Sequence, residues 1–168
     1  MSASDSPSAG WFEGREHRLA VRVYYEDTDF TGVVYHASYL RFFERGRTEF
    51  LRAIGVEHAA LLDLPEPCAF AVTRLAIAFK LAARVDDALE IRTRYRKGKG
   101  VRIEATQRAL RGGALIAEAD VEVVCIRLDG RPRRPPPELN DRLAPYLGAP
   151  RAIVSPSAGV IGDAADSL

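Results

Sequence analysis

Two cysteines, three histidines, one methionine and one tryptophan in 168 residues leave little material for a metal centre or a disulfide framework. Cys68 and Cys125 each lie in an apolar, strand-like run, the setting of a buried, reduced thiol. His17, His36 and His58 show no tight Cys/His spacing, so no metal ion is expected. Nowhere does an apolar run reach the roughly 18 residues that a membrane-spanning helix needs, and no span is expected. An excess of one charge is also lacking: the net charge is +1, which gives no global field for nucleic acid. The first ten residues have neither a basic n-region nor an apolar h-region, so export is not expected and a cytoplasmic location is.

What is present is the composition of a globular domain, 47% hydrophobic and 28% charged. One domain of this length buries about 70% of the surface its unfolded chain exposes. Residues 1–16 read as a loose N-terminal tail, 17–148 as the domain, and 149–168, rich in Ala, Ser, Gly and Pro, as a flexible C-terminal tail.

From His17 the chain alternates: Leu19, Val21, Val23 and Tyr25 against Arg18, Ala20, Arg22 and Tyr24. That is the period of a half-buried strand and places Tyr25 on its apolar face. After Gly32, a helix is predicted over about Ala37 to Ile54, with Tyr39, Leu40, Phe43, Phe50, Leu51 and Ile54 on one stripe and Gly46 among them. Arg45 and Glu49 are spaced to pair across a turn, and Gly55 is a plausible C-terminal cap. A short helical turn follows at Glu57 to Leu62. Four strand-like runs come next, about Ala69 to Lys80, Ala88 to Lys97, Val101 to Leu110 and Leu115 to Arg127, with glycine hairpins after Lys97 and Arg111. A short terminal helix is expected over Glu138 to Leu147. The order predicts an α+β fold: a five-stranded antiparallel sheet wrapped around one long central helix.

The chemistry concentrates where the first strand meets that helix. A helix N-terminus presents unpaired N–H groups and partial positive charge, so Val33 to Ser38 can polarise a carbonyl and hold an oxyanion. Asp29, on the other limb of the Gly32 turn, is placed to attack the polarised carbon or to activate water. Tyr25 and His36 are the polar side chains nearest in this scheme. Each also has a plainer reading: an Asx-turn for Asp29, a surface or helix-entry histidine, a core or interface tyrosine.

The residues Tyr25-Glu26-Asp27-Thr28-Asp29, Gly32-Val33-Val34-Tyr35-His36, Tyr39, Phe43-Glu44 and Arg47-Thr48-Glu49 closely resemble the start of the 4-hydroxybenzoyl-CoA thioesterase family of hotdog-fold enzymes. Within it they are nearest to the Tol-Pal-associated acyl-CoA thioesterase branch. The resemblance runs from about His17 to Leu147. It implies cofactor-independent hydrolysis of an acyl-CoA, or acyl-carrier-protein, thioester in a homodimer or homotetramer with its site at the subunit interface. It assigns Asp29 as catalytic carboxylate, Tyr25 and His36 as its polar neighbours, and the His36 N–H as the carbonyl-polarising group. Gly32, Val33 and Val34 form the substrate turn. Among the basic residues Arg92, Arg94, Arg96, Lys97, Lys99 and Arg102, the group Arg94, Lys97 and Lys99 is expected to receive the CoA phosphates, against the alternative of a solvated sheet face. Competing readings are a hotdog hydratase or dehydratase, a helix carboxylate (Glu44 or Glu49) as catalyst, and a non-catalytic acyl-CoA-binding module.

Overall fold

A computed structural model describes residues 9–149. One antiparallel sheet holds six strands: β1 (Trp11–Glu13), β2 (Glu16–Arg22), β3 (Ala69–Phe79), β4 (Ala88–Lys97), β5 (Arg102–Arg111) and β6 (Ala114–Ile126), in the order β1-β2-β4-β5-β6-β3. The strand beyond the expected five is β1, within the stretch read as a tail. Three residues are too few to show alternation. Its Phe12 nevertheless packs at 5.0 Å from Phe50 and 4.4 Å from Tyr146, ring centre to ring centre, so the core begins ahead of His17. The expected tails otherwise lie, at residues 1–8 and 150–168, outside the described residues.

The sheet wraps α1 (His36–Ala53), whose buried face is Ser38, Tyr39, Phe42, Phe43, Gly46, Phe50 and Leu51. Leu40 is exposed instead of lying on the stripe, and Phe42 takes that place, because positions 39, 42, 43, 46 and 50 are those that return to one face at 3.6 residues per turn. Phe42, Phe43 and Phe50 are fully buried, each contributing about 2–3 kcal/mol of apolar transfer. At Gly46 helix and sheet lie close together. A Cβ there would meet Ile91 Cγ2 at 2.8 Å and Thr93 Oγ1 at 2.9 Å.

Beneath that contact, the fully buried Gln107 amide donates to Phe43 O (2.8 Å) and Thr93 Oγ1 (2.9 Å), and its Oε1 accepts from Arg47 Nη1 (2.8 Å). Every polar end of this side chain is thereby satisfied. The helix ends as predicted: Gly55, at φ +78°, donates to Arg52 O, and Val56 N–H returns to Leu51 O at 2.8 Å, a Schellman closure. The Arg45–Glu49 pair does not form. Glu49 binds Arg52 one turn on, and Arg45 lies over the Phe42 ring.

The helices α2 (His58–Leu62) and α3 (Pro137–Leu143) close a second cluster with Leu51, Val56, Cys68, Cys125 and Leu139. Both cysteines are free and buried. Burial and the neighbouring Cys68 push the Cys125 thiol up to about 12, so it stays protonated.

At the sheet's edge, β3 pairs with β6 alone. Its register slips by one residue at Thr73: Val72 faces Val123 while Arg74 faces Glu122. This bulge changes which parity points inward. Phe70 ahead of it and Leu75 and Ile77 beyond it therefore all pack on the core.

Candidate active site

After β2 the chain leaves the sheet, and Tyr25 to Asp27 form a 3₁₀ turn. Tyr25 is thus beyond the strand and 84% exposed, not on its apolar face. Asp27, buried, braces the loop from both sides: Oδ2 accepts the Tyr24 N–H and its backbone carbonyl accepts the Tyr35 N–H, each at 2.8 Å. Asp29 opens the next turn. Its carbonyl accepts from Gly32 N–H, and its own N–H donates to Val33 O, both at 3.0 Å; Gly32 supplies the left-handed φ of +77° that the turn requires.

The Asp29 side chain makes the Asx-turn that its spacing allows, with Oδ1 accepting the Thr31 N–H (2.8 Å) and hydroxyl (2.5 Å). These bonds, the hydroxyl first, hold the carboxyl below its ordinary value. The Val33 N–H adds a further, weaker interaction with the same carboxyl. The plain reading and the catalytic one are compatible: the turn fixes a carboxyl that stays partly exposed.

Facing this turn is the start of α1. Of the N–H groups expected to be open, Val34 donates to Ala83 O, Tyr35 to Asp27 O and Ser38 to Tyr35 O, each at 2.8 Å. His36 and Ala37 N–H donate to no backbone group outside the helix among the described residues, as the first helical positions must. The His36 ring is exposed and lies 4.3 Å from the Tyr35 ring. Tyr25, Asp29 and His36 make no hydrogen bond with one another among the described residues; the backbone bridge between Thr28 and Val34 is what brings their segments together.

A shallow cleft of about 270 Å³ runs along this helix entrance, lined by Val33, Val34, His36, Tyr39, Phe79 and Lys80. Tyr39 is buried against Phe79 at 5.5 Å. Burial raises its hydroxyl above the ordinary value, and the hydroxyl bonds the Ala83 backbone. It thus pins the β3–β4 connection to the helix.

The sequence-expected basic group is elsewhere. Since β4 starts beside Arg22, at the site end of β2, its other end carries Lys97, and Lys99 follows. Nine residues of strand place Lys97 about 30 Å from Ala88. Arg94 points outward, its Nε at 2.9 Å from the nearly buried Glu16, as on a paired, solvated face. The basic residues actually near the turn are Lys80, in the cleft, and Arg84, whose Nη1 would lie 4.0 Å from a Cβ on Gly32. Their proximity comes from the β3–β4 connection, which no local spacing reveals. Nor does spacing reveal a second cavity, of about 140 Å³, between the middle of α1 and strands β3, β5 and β6, with Glu44, Arg47, Thr48, His58 and Tyr95 among its walls. Glu49, the other helix carboxylate considered, is engaged with Arg52.

A sheet wrapped around one long helix is the hotdog arrangement of thioester-processing enzymes. The family model for the thioesterase-like superfamily matches residues 23–143, and the chain belongs to that family. It is 47% identical to the acyl-CoA thioesterase YbgC of Haemophilus influenzae over 108 residues, 64% of this chain and 79% of the relative. It is 46% identical to the acyl-CoA thioester hydrolase YbgC of Escherichia coli O6:H1 over 110 residues, 65% and 81%. Among solved structures, a probable thioesterase from Bartonella henselae superposes with a TM-score of 0.70 at 43% identity, covering 72% of this chain and 99% of that one. A 1,4-dihydroxy-2-naphthoyl-CoA thioesterase from Synechocystis, at 20% identity and a TM-score of 0.71 over 77% and 96%, shares the fold.

Proposed function

We propose that the protein hydrolyses acyl-CoA thioesters with Asp29 as nucleophile. The observation carrying this is the Gly32 turn and the Thr28–Val34 bridge, which bring the segment of Asp29 back onto the start of α1, where the His36 and Ala37 N–H groups are open. The thioester carbonyl oxygen is held by those N–H groups, which meet the charge that develops in the tetrahedral state. Oδ2 attacks the carbonyl carbon, the C–S bond breaks, and the CoA thiolate leaves with a solvent proton. Water then splits the acyl-aspartyl anhydride, releasing the acid and restoring Asp29. Held below its ordinary value, the carboxylate stays ionised and able to attack. Tyr25 and the His36 ring stand at the entrance to orient substrate and the second water.

The site reading places Asp29 among exposed aromatic rings: Tyr24, Tyr25, Phe30 (101% exposed) and Tyr35. Such a patch, beside the free edge of β3, fits burial against a second copy of the chain. A homodimer is accordingly part of the proposal. The activity test is thiol release across short, long and aromatic acyl-CoAs; release with at least one class is expected. Acid-quenched protein should carry the acyl mass on the Asp29 peptide during turnover. Release with unmodified protein throughout would assign Asp29 as general base, and saturable binding without thiol release would make the chain a binding module.

A further inference from the structure

The outer face of the sheet, turned away from α1, carries a row of arginines that the chemistry at the Gly32 turn leaves unused. Trp11 is paired with Arg18 across β1 and β2, Arg18 with Arg92 across β2 and β4, and Arg92 with Arg108 across β4 and β5. Paired residues share a face, so one aromatic ring and three guanidinium stems stand in line at steps of about 5 Å. Their face is the outer one, because His17 and Leu19 on either side of Arg18 are buried, Leu19 in the main core and His17 against Phe12 and Phe50.

Like charges directly opposite one another destabilise a sheet, and here one carboxylate is shared among four arginines. Glu16, 3% exposed, accepts from Arg94 Nε (2.9 Å) and Arg108 Nη2 (3.1 Å). Arg18 Nε and Arg92 Nη1 stop at 3.7 and 3.8 Å from its Oε1, beyond hydrogen-bond reach. Glu13 pairs with Arg18 and Glu90 with Arg92. Four arginines against three carboxylates leave one positive charge over, and burial turns it outward. Glu16 lies beneath, whereas the Arg94 and Arg108 side chains are 62% and 41% exposed. Arg18 Nε is buried with no hydrogen-bond partner among the described residues, a donor that is costly to leave unpaired. At the end of the row Trp11, the chain's single tryptophan, is half-exposed. A flat ring beside spaced guanidiniums suits a base and the phosphates attached to it.

We propose that this outer face binds a nucleoside triphosphate, with the base stacked on Trp11 and the phosphates laid along Arg18, Arg92 and Arg108. The site is separate from the turn of Asp29. Arg18 lies four residues before Arg22, where β2 ends ahead of that turn, hence about 13 Å back along the strand and on the face opposite α1. The same adenine nucleotide chemistry comes from two sources, free nucleotide and the nucleotide end of CoA, and the experiment separates them.

Trp11 is its own reporter. Titration with ATP should quench its fluorescence saturably, whereas adenosine, which lacks the phosphates, should not. By calorimetry, Arg92→Met should weaken ATP binding about tenfold, and Trp11→Ala should weaken it by a similar factor while leaving inorganic triphosphate unchanged. Both hydrogen bonds of Glu16 survive the loss of Arg92, so this variant should keep the wild-type Tm and the wild-type rate of thiol release. If it fails to fold, Arg92→Lys, which retains the charge without the planar fork, should weaken ATP likewise. Calorimetric silence up to about 1 mM ATP overturns the proposal, as does an ATP affinity indifferent to Arg92. Inorganic triphosphate bound as tightly as ATP removes the role of Trp11 and with it the nucleotide assignment. Saturating CoA should leave ATP bound; displacement by CoA would place the nucleotide in the substrate site instead.

Discussion

Oδ1 of Asp29 accepts both the hydroxyl and the N–H of Thr31, and these bonds keep the carboxyl ionised below the usual aspartate range. With the folded-state value depressed, whatever this group contributes to stability is present above the unfolded-state value and lost as pH falls through the folded one. On the proposed assignment of Asp29 as nucleophile, the acid limb of kcat/KM should lie at lower pH than for an ordinary aspartate. Thr31→Val removes the largest cause and should move that limb to higher pH; Thr31→Ser should not. A second expectation at this scale concerns phosphate recognition. Lys80→Ala with Arg84→Ala should raise KM for CoA esters severalfold while leaving short CoA-free thioesters unaffected, and Arg94→Ala should change neither. That one turn joins the segments of Asp29 and His36 was legible because the loop is a contiguous, specific motif. The face taken by Tyr25 was not, since alternation does not say where a strand stops, and β2 stops at Arg22.

The central helix was legible almost to the residue, for local reasons: Gly32 before it, a Schellman glycine after it, and a periodic apolar face between. Only its finer packing was hidden. Leu40 and Phe42 are equally apolar in sequence, and the sheet decides which is covered. Gly46 is a tight constraint on the element. Gly46→Ala forces a methyl into Ile91 and Thr93 and should destabilise the fold by about 1–3 kcal/mol, read as a lowered Tm. The bulge in β3 was invisible for a related reason. A one-residue slip shows only against the partner strand, and across it Phe70 and Leu75 face the same core though their spacing in sequence is odd.

Across the whole molecule, strand order settles what the sequence leaves open. The run Arg94 to Lys99 is basic wherever it lies; that it lies far from Asp29 follows from β4 pairing antiparallel with β2. Strand order also leaves β3 as a long edge with Val72, Phe79 and the neighbouring Leu40 exposed, which is where two copies are proposed to join. Val72→Glu puts a charge on that seam and should convert dimers to monomers in sedimentation velocity, with thiol release falling in parallel. Dissociation with full activity would separate the site from the interface.

The most direct test is the rate of thiol release in a single turnover, measured by rapid quench for wild-type protein and Asp29→Asn with the best acyl-CoA of the panel. The geometry around the Gly32 turn calls for a loss of about 10³-fold in the variant, with its Tm unchanged. Asp29→Asn cleaving the thioester at the wild-type rate would place the catalytic group elsewhere.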